Sequence, residues 1–362
     1  SGTEPVRYDN VQSGLFIGNL KPDTRYTAEL SSCNAIDCLE PKKIEFTTST
    51  ARLGYADELA LVNHLNGDLT GSIHFAQTHT TTGPNQNDVN LFPDLVIDRE
   101  ALLLFTPEDK TVQQVWVEVS FEGTVITHLP MLPPSALAAS DQPDNGRSKV
   151  VFSHHAWSLP LQWDWMKPGL SLRLTDNTDR QGDIAANELV FGGAPELIIQ
   201  NIDMGMLTAP RDGNTMIKNM AKLSADYFQK IPASKLVMAD YTAAYFPKVT
   251  LPNGKVYTTS SDGEGGWHGG DMREAIGKAL VSTGVNNANV GITDSAGYSQ
   301  AYNKRFNHIT AHTNRGVYTN GIIDHGGSGG GGIVTLTATT GNEWSHELGH
   351  NYGLGHYPWY AS

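Results

Sequence analysis

The segment "GNEWSHELGHNYGLGHYPW", Gly341 to Trp359, carries three histidines and two glutamates in a stretch otherwise rich in glycine. His346 and His350 are four residues apart, so on a helix they project from one face about a turn from each other. That spacing suits one tetrahedral zinc ion. Glu347 follows the first of them, where its carboxylate can reach a water on the metal without filling a coordination position, and this makes it the candidate general base. Gly353 tolerates positive φ, so the helix can stop there and the chain can turn back to bring His356 to the same ion. Three neutral imidazoles would leave a fourth position open. From the residue frequencies of this chain, the full H-E-x-x-H-x-x-G-x-x-H pattern is expected about 0.0001 times by chance, and the functional reading is therefore anchored here.

The elements that must position these side chains can be read outward from them. In "HGGSGGGGIVTLTATTGNEWSHELGH" a glycine-rich loop leads through a strand, Gly332 to Thr337, into the zinc helix. No Lys-Ser or Lys-Thr follows the glycines, so they do not form a phosphate loop; a flexible loop or a close backbone approach to substrate fits better. The strand is an edge candidate that could pair with an extended peptide. Glu343, one turn before Glu347, reads as a carboxylate favoured by the helix macrodipole. Further upstream, Met216, Met220, Leu223 and Tyr227 lie on one helical stripe, and Met272, Ile276 and Leu280 on another. Between the two stripes stand a strand, Leu236 to Tyr241, and a hairpin with an Asn253-Gly254 turn. The alternation predicts a mixed α/β domain over residues 201–362.

Residues 51–200 read mostly as strands, with Val115, Val117, Val119 and Phe121 alternating on one face before a turn at Glu122-Gly123, the pattern of a β-sandwich-like accessory domain. His154 and His155 are adjacent, and neighbours in a strand point to opposite faces, which argues against joint metal ligation. Trp157, Trp163 and Trp165 read as core or interface residues rather than a carbohydrate platform. Within residues 1–50, Leu20, Pro22, Thr24 and Tyr26 form an L-x-P-x-T-x-Y run that resembles the second half of a fibronectin type III domain, a partial β segment with a spacer role.

At 362 residues, two or three domains are expected. A net charge of −13 argues against nucleic acid or an anionic membrane surface as the main partner. No apolar run approaches a membrane span, and no segment resembles a signal peptide. Cys33 and Cys38 are the only cysteines. A short disulfide loop, implying an oxidising compartment, is the preferred reading, with free thiols as the alternative. The absence of an initiator Met and an end six residues after His356 lead to the expectation of a piece of a longer, processed protein.

With these segments in view, the chain resembles the metzincin metalloproteases, and within them the StcE/TagA-type secreted proteases that act on mucin-like O-glycosylated proteins. The narrower resemblance rests on "APELIIQNIDMGMLTAPRD", "GGWHGGDMREAIGKALVSTGVNNANVG", "HGGSGGGGIVTL" and "GNEWSHELGHNYGLGHY", in that order, and spans about residues 51–362. It implies a zinc endopeptidase with His346, His350 and His356 as ligands and Glu347 as catalytic base. It also implies a secreted or cell-surface enzyme of a Gram-negative bacterium, with a β domain that helps engage glycoprotein. Trp267, His268 and Tyr357 are the candidates for substrate contact, since aromatic faces stack on sugar rings. The methionine-containing turn that metzincins carry beneath the zinc falls beyond Ser362, so the protease domain is expected to lack its C-terminal part. Two other readings stand beside this one: a glycoprotein-binding adhesin with a structural zinc, which would have no need of Glu347, and a zinc hydrolase acting on something other than protein.

Overall fold

The computed structural model describes residues 20–21, 24–33, 38–48, 53–83, 94–140, 149–212, 215–290 and 307–356. The chain divides into two compact units, Ser1–Gly192 and Gly193–Ser362.

In the first unit, alternation of apolar and polar residues builds two antiparallel sheets. One runs in the order Trp157–Leu161, Ala101–Pro107, Gly71–Ala76, Thr80–Thr82; the other in the order Asn66–Gly67, Gln181–Ile184, Leu170–Asp176, Val115–Phe121, Thr124–Pro130. Ile73, Phe75, Leu103 and Phe105 from the first and Val115, Val117, Val119, Leu172 and Leu174 from the second belong to one buried cluster, so a single core serves both. Glu122 and Gly123, at φ 48° and 78°, make the two-residue turn with both φ positive that twisted hairpins favour. Trp157 is buried and Trp165 packs against the core, whereas Trp163 is 59% exposed. His154 and His155 lie in a turn ahead of the strand Trp157–Leu161, and His154 Nδ1 pairs with Asp57. The strands Arg25–Leu30 and Lys42–Thr47 form a separate antiparallel ribbon, with Tyr26 Oη accepting a hydrogen bond from the Lys21 amide at 2.9 Å. Cys33 and Cys38 are joined as a disulfide.

The second unit is built on a sheet ordered Lys235–Asp240, Glu196–Met206, His308–Tyr318, Ile333–Thr335, Ser328–Gly330. The first four are parallel and the last is antiparallel. A parallel sheet must be covered on both faces. On one face, Ile199, Ile309, Ala311, Val334 and Leu336 pack against Met216 and Tyr227 and against Trp344 and Leu348 of the helix Gly341–Asn351. Alternation along His308–Tyr318 sends Thr310, His312 and Asn314, all buried, to the other face, where they meet the helix that runs from Arg273 to Val290. Among the described residues no helix is long and apolar enough to cross a membrane.

Two expectations change. The first ten residues of that long helix, Arg273–Ser282, are wound as a π-helix. The wider turn swings Leu280 out to 59% exposure while Met272 and Ile276 stay buried and Val281 packs beside them. The strand before the helix Gly341–Asn351 is Ile333–Thr335, and it lies inside the sheet. The outer position belongs to Ser328–Gly330, because Gly331 and Gly332, at φ 69° and 81°, close a two-residue hairpin that folds the glycine run back on Ile333–Thr335.

Candidate metal centre

The helix Gly341–Asn351 is amphipathic in an unusual division of labour. Trp344, Leu348 and Asn351, spaced four and three apart, are buried, and Trp344 meets the Tyr227 ring edge-on at 5.9 Å between centroids. His346 and His350 project from the opposite side and remain accessible. The helix ends at Gly353, at φ 80°. There the Gly353 amide bonds the His350 carbonyl at 3.2 Å and the Leu354 amide bonds the Gly349 carbonyl at 3.2 Å, the paired hydrogen bonds of a Schellman stop. The reversal delivers two groups to the histidines. The Leu354 carbonyl lies 2.8 Å from His350 Nδ1, and since a carbonyl only accepts, Nδ1 donates to it and Nε2 is the nitrogen left to face a metal. His356 arrives with its Nε2 3.1 Å from that of His346, which is itself 3.2 Å from His350 Nε2.

These residues fit a metal. The three rings stand 4.7, 4.9 and 5.0 Å apart between centroids, nearly an equilateral triangle. Zinc–nitrogen bonds of about 2.0–2.1 Å in tetrahedral geometry place ligand nitrogens about 3.3 Å apart. The observed 3.1 and 3.2 Å are close to that spacing. Among the described residues, His346, His350 and His356 form the one histidine, cysteine or carboxylate group of this kind.

Glu347, on the same helix, is only 6% exposed. Gly329 of the outer strand rests directly on its backbone, so the close approach offered by the glycine run is made to the helix. Two polar clamps hold the hairpin there. Asn351 accepts from the Gly332 amide at 2.7 Å and donates to the Glu347 carbonyl at 3.1 Å. Glu343 accepts four hydrogen bonds, from the amides of Gly327, Thr337 and Ala338 and from the Thr337 hydroxyl, at 2.6–3.0 Å. The helix dipole favours a carboxylate in this first turn, but its larger role is to tie both ends of the hairpin to the helix, and only the fold brings those donors together. Trp267 and His268 sit on the far side of the same loop, so close that a side chain at Gly327 would run into both rings. Their rings contact each other edge-to-face at 6.4 Å. Tyr357 lies outside the described residues.

This site stands in recognisable company. The chain is 48% identical over 348 residues, 95% of its length, to the ToxR-activated gene A lipoprotein of Vibrio cholerae serotype O1 in two strains. It is 44% identical over 213 residues, 58% of its length, to the metalloprotease StcE of Escherichia coli O157:H7. It spans 34% and 23% of those proteins, respectively, about a third of their length or less. Residues 146–362, which include the histidine cluster and the sheet beneath its helix, match the peptidase M66 family model. The chain therefore belongs to the peptidase M66 family, the StcE/TagA-like metzincin metalloproteases.

Proposed function

We propose that the chain is the zinc-dependent catalytic region of a secreted or surface endopeptidase that hydrolyses peptide bonds in mucin-like O-glycosylated proteins. The observation that carries this reading is the convergence of three imidazole nitrogens, two of them from the helix that also carries the buried Glu347. His346, His350 and His356 would hold the ion. When bound, zinc would supply a Lewis acid for the scissile carbonyl and would lower the pKa of water at the site towards about 7. Glu347 accepts the proton of the attacking water and passes it to the leaving amine, and no covalent intermediate is required. The outer strand Ser328–Gly330 has its second edge free of strand partners among the described residues. An extended peptide can add there, giving affinity through main-chain hydrogen bonds. Trp267, 48% exposed, together with His268 and Tyr357 supplies surfaces for sugar. In this reading the first unit comprises a fibronectin type III-like ribbon followed by a β-sandwich whose two sheets share one core, and it helps engage glycoprotein.

The test is incubation of the natural protein with an O-glycoprotein and with its deglycosylated form, followed by sequencing of the products. Cleavage of the glycosylated form with new amino termini supports the reading. Binding of zinc and glycoprotein without cleavage would instead establish an adhesin.

A further inference from the structure

The loop that carries Trp267 and His268 is exposed in its side chains and pinned in its backbone. Four consecutive carbonyls each accept a hydrogen bond from the body of the unit: Gly265 from Asn320 Nδ2 at 2.8 Å, Gly266 from His325 Nδ1 at 2.7 Å, Trp267 from the Gly326 amide at 3.1 Å, and His268 from Arg273 Nη1 at 2.8 Å. Because Nδ1 of His325 donates, its Nε2 accepts from the Tyr318 hydroxyl at 2.9 Å.

Arg273 reaches furthest. It is 1% exposed, and besides His268 and Glu274 its guanidinium donates through Nη2 to Ser328 Oγ at 2.7 Å and towards Thr335 Oγ1 at 3.5 Å. One buried cation thus joins the Trp267–His268 loop to the outer strand. Its aim depends on the π-helix. Arg273, Gly277, Ser282 and Asn286 follow at four- or five-residue steps and form a seam facing Thr310, His312 and Asn314. The hydroxyls of Ser282 and Thr283 donate to the carbonyls five residues back, Gly277 and Lys278, at 2.7 and 2.9 Å, which holds the wide turns open. Packing alone would be met by an apolar side chain of similar volume, without the cost of desolvating a guanidinium.

We propose that Arg273 is a positioning residue for substrate recognition: through His268 and Ser328 it sets the distance between the loop that meets sugar and the strand that meets peptide. The proposal rests on the protease reading above. Arg273 touches neither the substrate nor the histidine cluster; it keeps two recognition walls in register, so its loss acts on binding of substrates that need both.

The experiment compares wild type with Arg273→Lys, which keeps the charge but lacks the fork to reach both walls, and with Ser328→Ala, a surface-sized change that removes one link. KM and kcat are measured on an O-glycoprotein and on an unglycosylated peptide, alongside zinc content and hydrogen exchange of residues 263–270 and 326–330. For Arg273→Lys the expectation is a KM on glycoprotein raised about tenfold to a hundredfold, the equivalent of one charge-assisted hydrogen bond. kcat should stay within about threefold, with zinc unchanged and faster exchange in both segments. Ser328→Ala should raise KM in the same direction and add little to Arg273→Lys, because both break the same bridge. An unchanged KM in both variants of an active enzyme, a fall in kcat alone, or loss of zinc would overturn the positioning role. A wild type that cleaves neither substrate would overturn the protease reading itself.

Discussion

Gly329→Ala probes the seat of the outer strand on the metal helix. The φ of Gly329 is not in the left-handed region, so alanine carries no conformational penalty there and the perturbation is steric alone. A methyl at this position would lie 2.7 Å from the Glu347 carbonyl carbon and 2.9 Å from its Cα, and closer still to the carbonyl oxygen. Neither side can yield by a side-chain rotation. The strand is paired to Val334, and the helix is anchored through Trp344 and Leu348. Strand and helix must therefore separate by about 1 Å to restore an ordinary carbon–carbon contact. Overpacking of this kind costs about 1–3 kcal/mol of stability, and misplacing a catalytic group by about 1 Å costs about 100-fold in rate. The assay is kcat/KM on O-glycoprotein with zinc content and thermal midpoint measured in parallel. We expect a fall of about 100-fold with zinc retained, because His346 and His350 stand on a different face of the helix. Activity within about threefold of wild type at an unchanged midpoint would refute the argument that this contact sets the position of Glu347.

Gly353→Ala places a Cβ at φ 80°, which costs about 1–2 kcal/mol; it should loosen both His356 and the Leu354 carbonyl on His350, weakening zinc about tenfold in chelator competition while leaving the far-ultraviolet spectrum intact. Leu348→Ala, at a fully buried position, should cost about 2–5 kcal/mol in urea unfolding and lower zinc occupancy with it, because the helix face opposite the histidines is what holds them. Desolvation on burial pulls His325 down to about 4 and His312 down to about 3 from the usual 6.5, the latter helped by the nearby Arg273 charge. As pH falls below 6.5 the unfolded chain takes up these protons and the folded chain does not. The metal-free second unit should therefore lose stability from pH 6.5 downward, by about 3 kcal/mol from His325 alone once pH is below 4, and His325→Asn should flatten that slope in urea titrations.

The parts of this molecule legible in its sequence are those governed by local rules. The H-E-x-x-H spacing, the stop at Gly353 and the return to His356 depend on helical periodicity and one left-handed glycine, and the structure brings those three rings together. The alternation of Val115, Val117 and Val119 likewise gives a strand with one buried face. What escaped depends on non-local partners. The glycine run carries no side chains to signal extended pairing, so its fold-back as the outer strand, which leaves Ile333–Thr335 inside the sheet, is invisible until the turn at Gly331 and Gly332 is seen. An α-helical wheel puts Leu280 on the buried face, and the π-winding removes it. Arg273 gave a faint signal, a charged residue next to the apolar Met272, but its partners lie up to 62 residues away. Trp163 shows the reverse limit: a tryptophan cluster in sequence need not be one in space.

In the proposed reading three histidines hold zinc while Glu347 moves the proton, and Glu347→Gln separates those two jobs in one preparation. Elemental analysis and kcat/KM on O-glycoprotein, read together for wild type and variant, are decisive. One zinc in each and a loss of about 10²–10⁴-fold in turnover for the variant are expected, the usual contribution of a positioned general base. Zinc retained with more than about a tenth of wild-type activity would contradict the role given to Glu347, and a wild-type protein that binds no zinc would contradict the site itself.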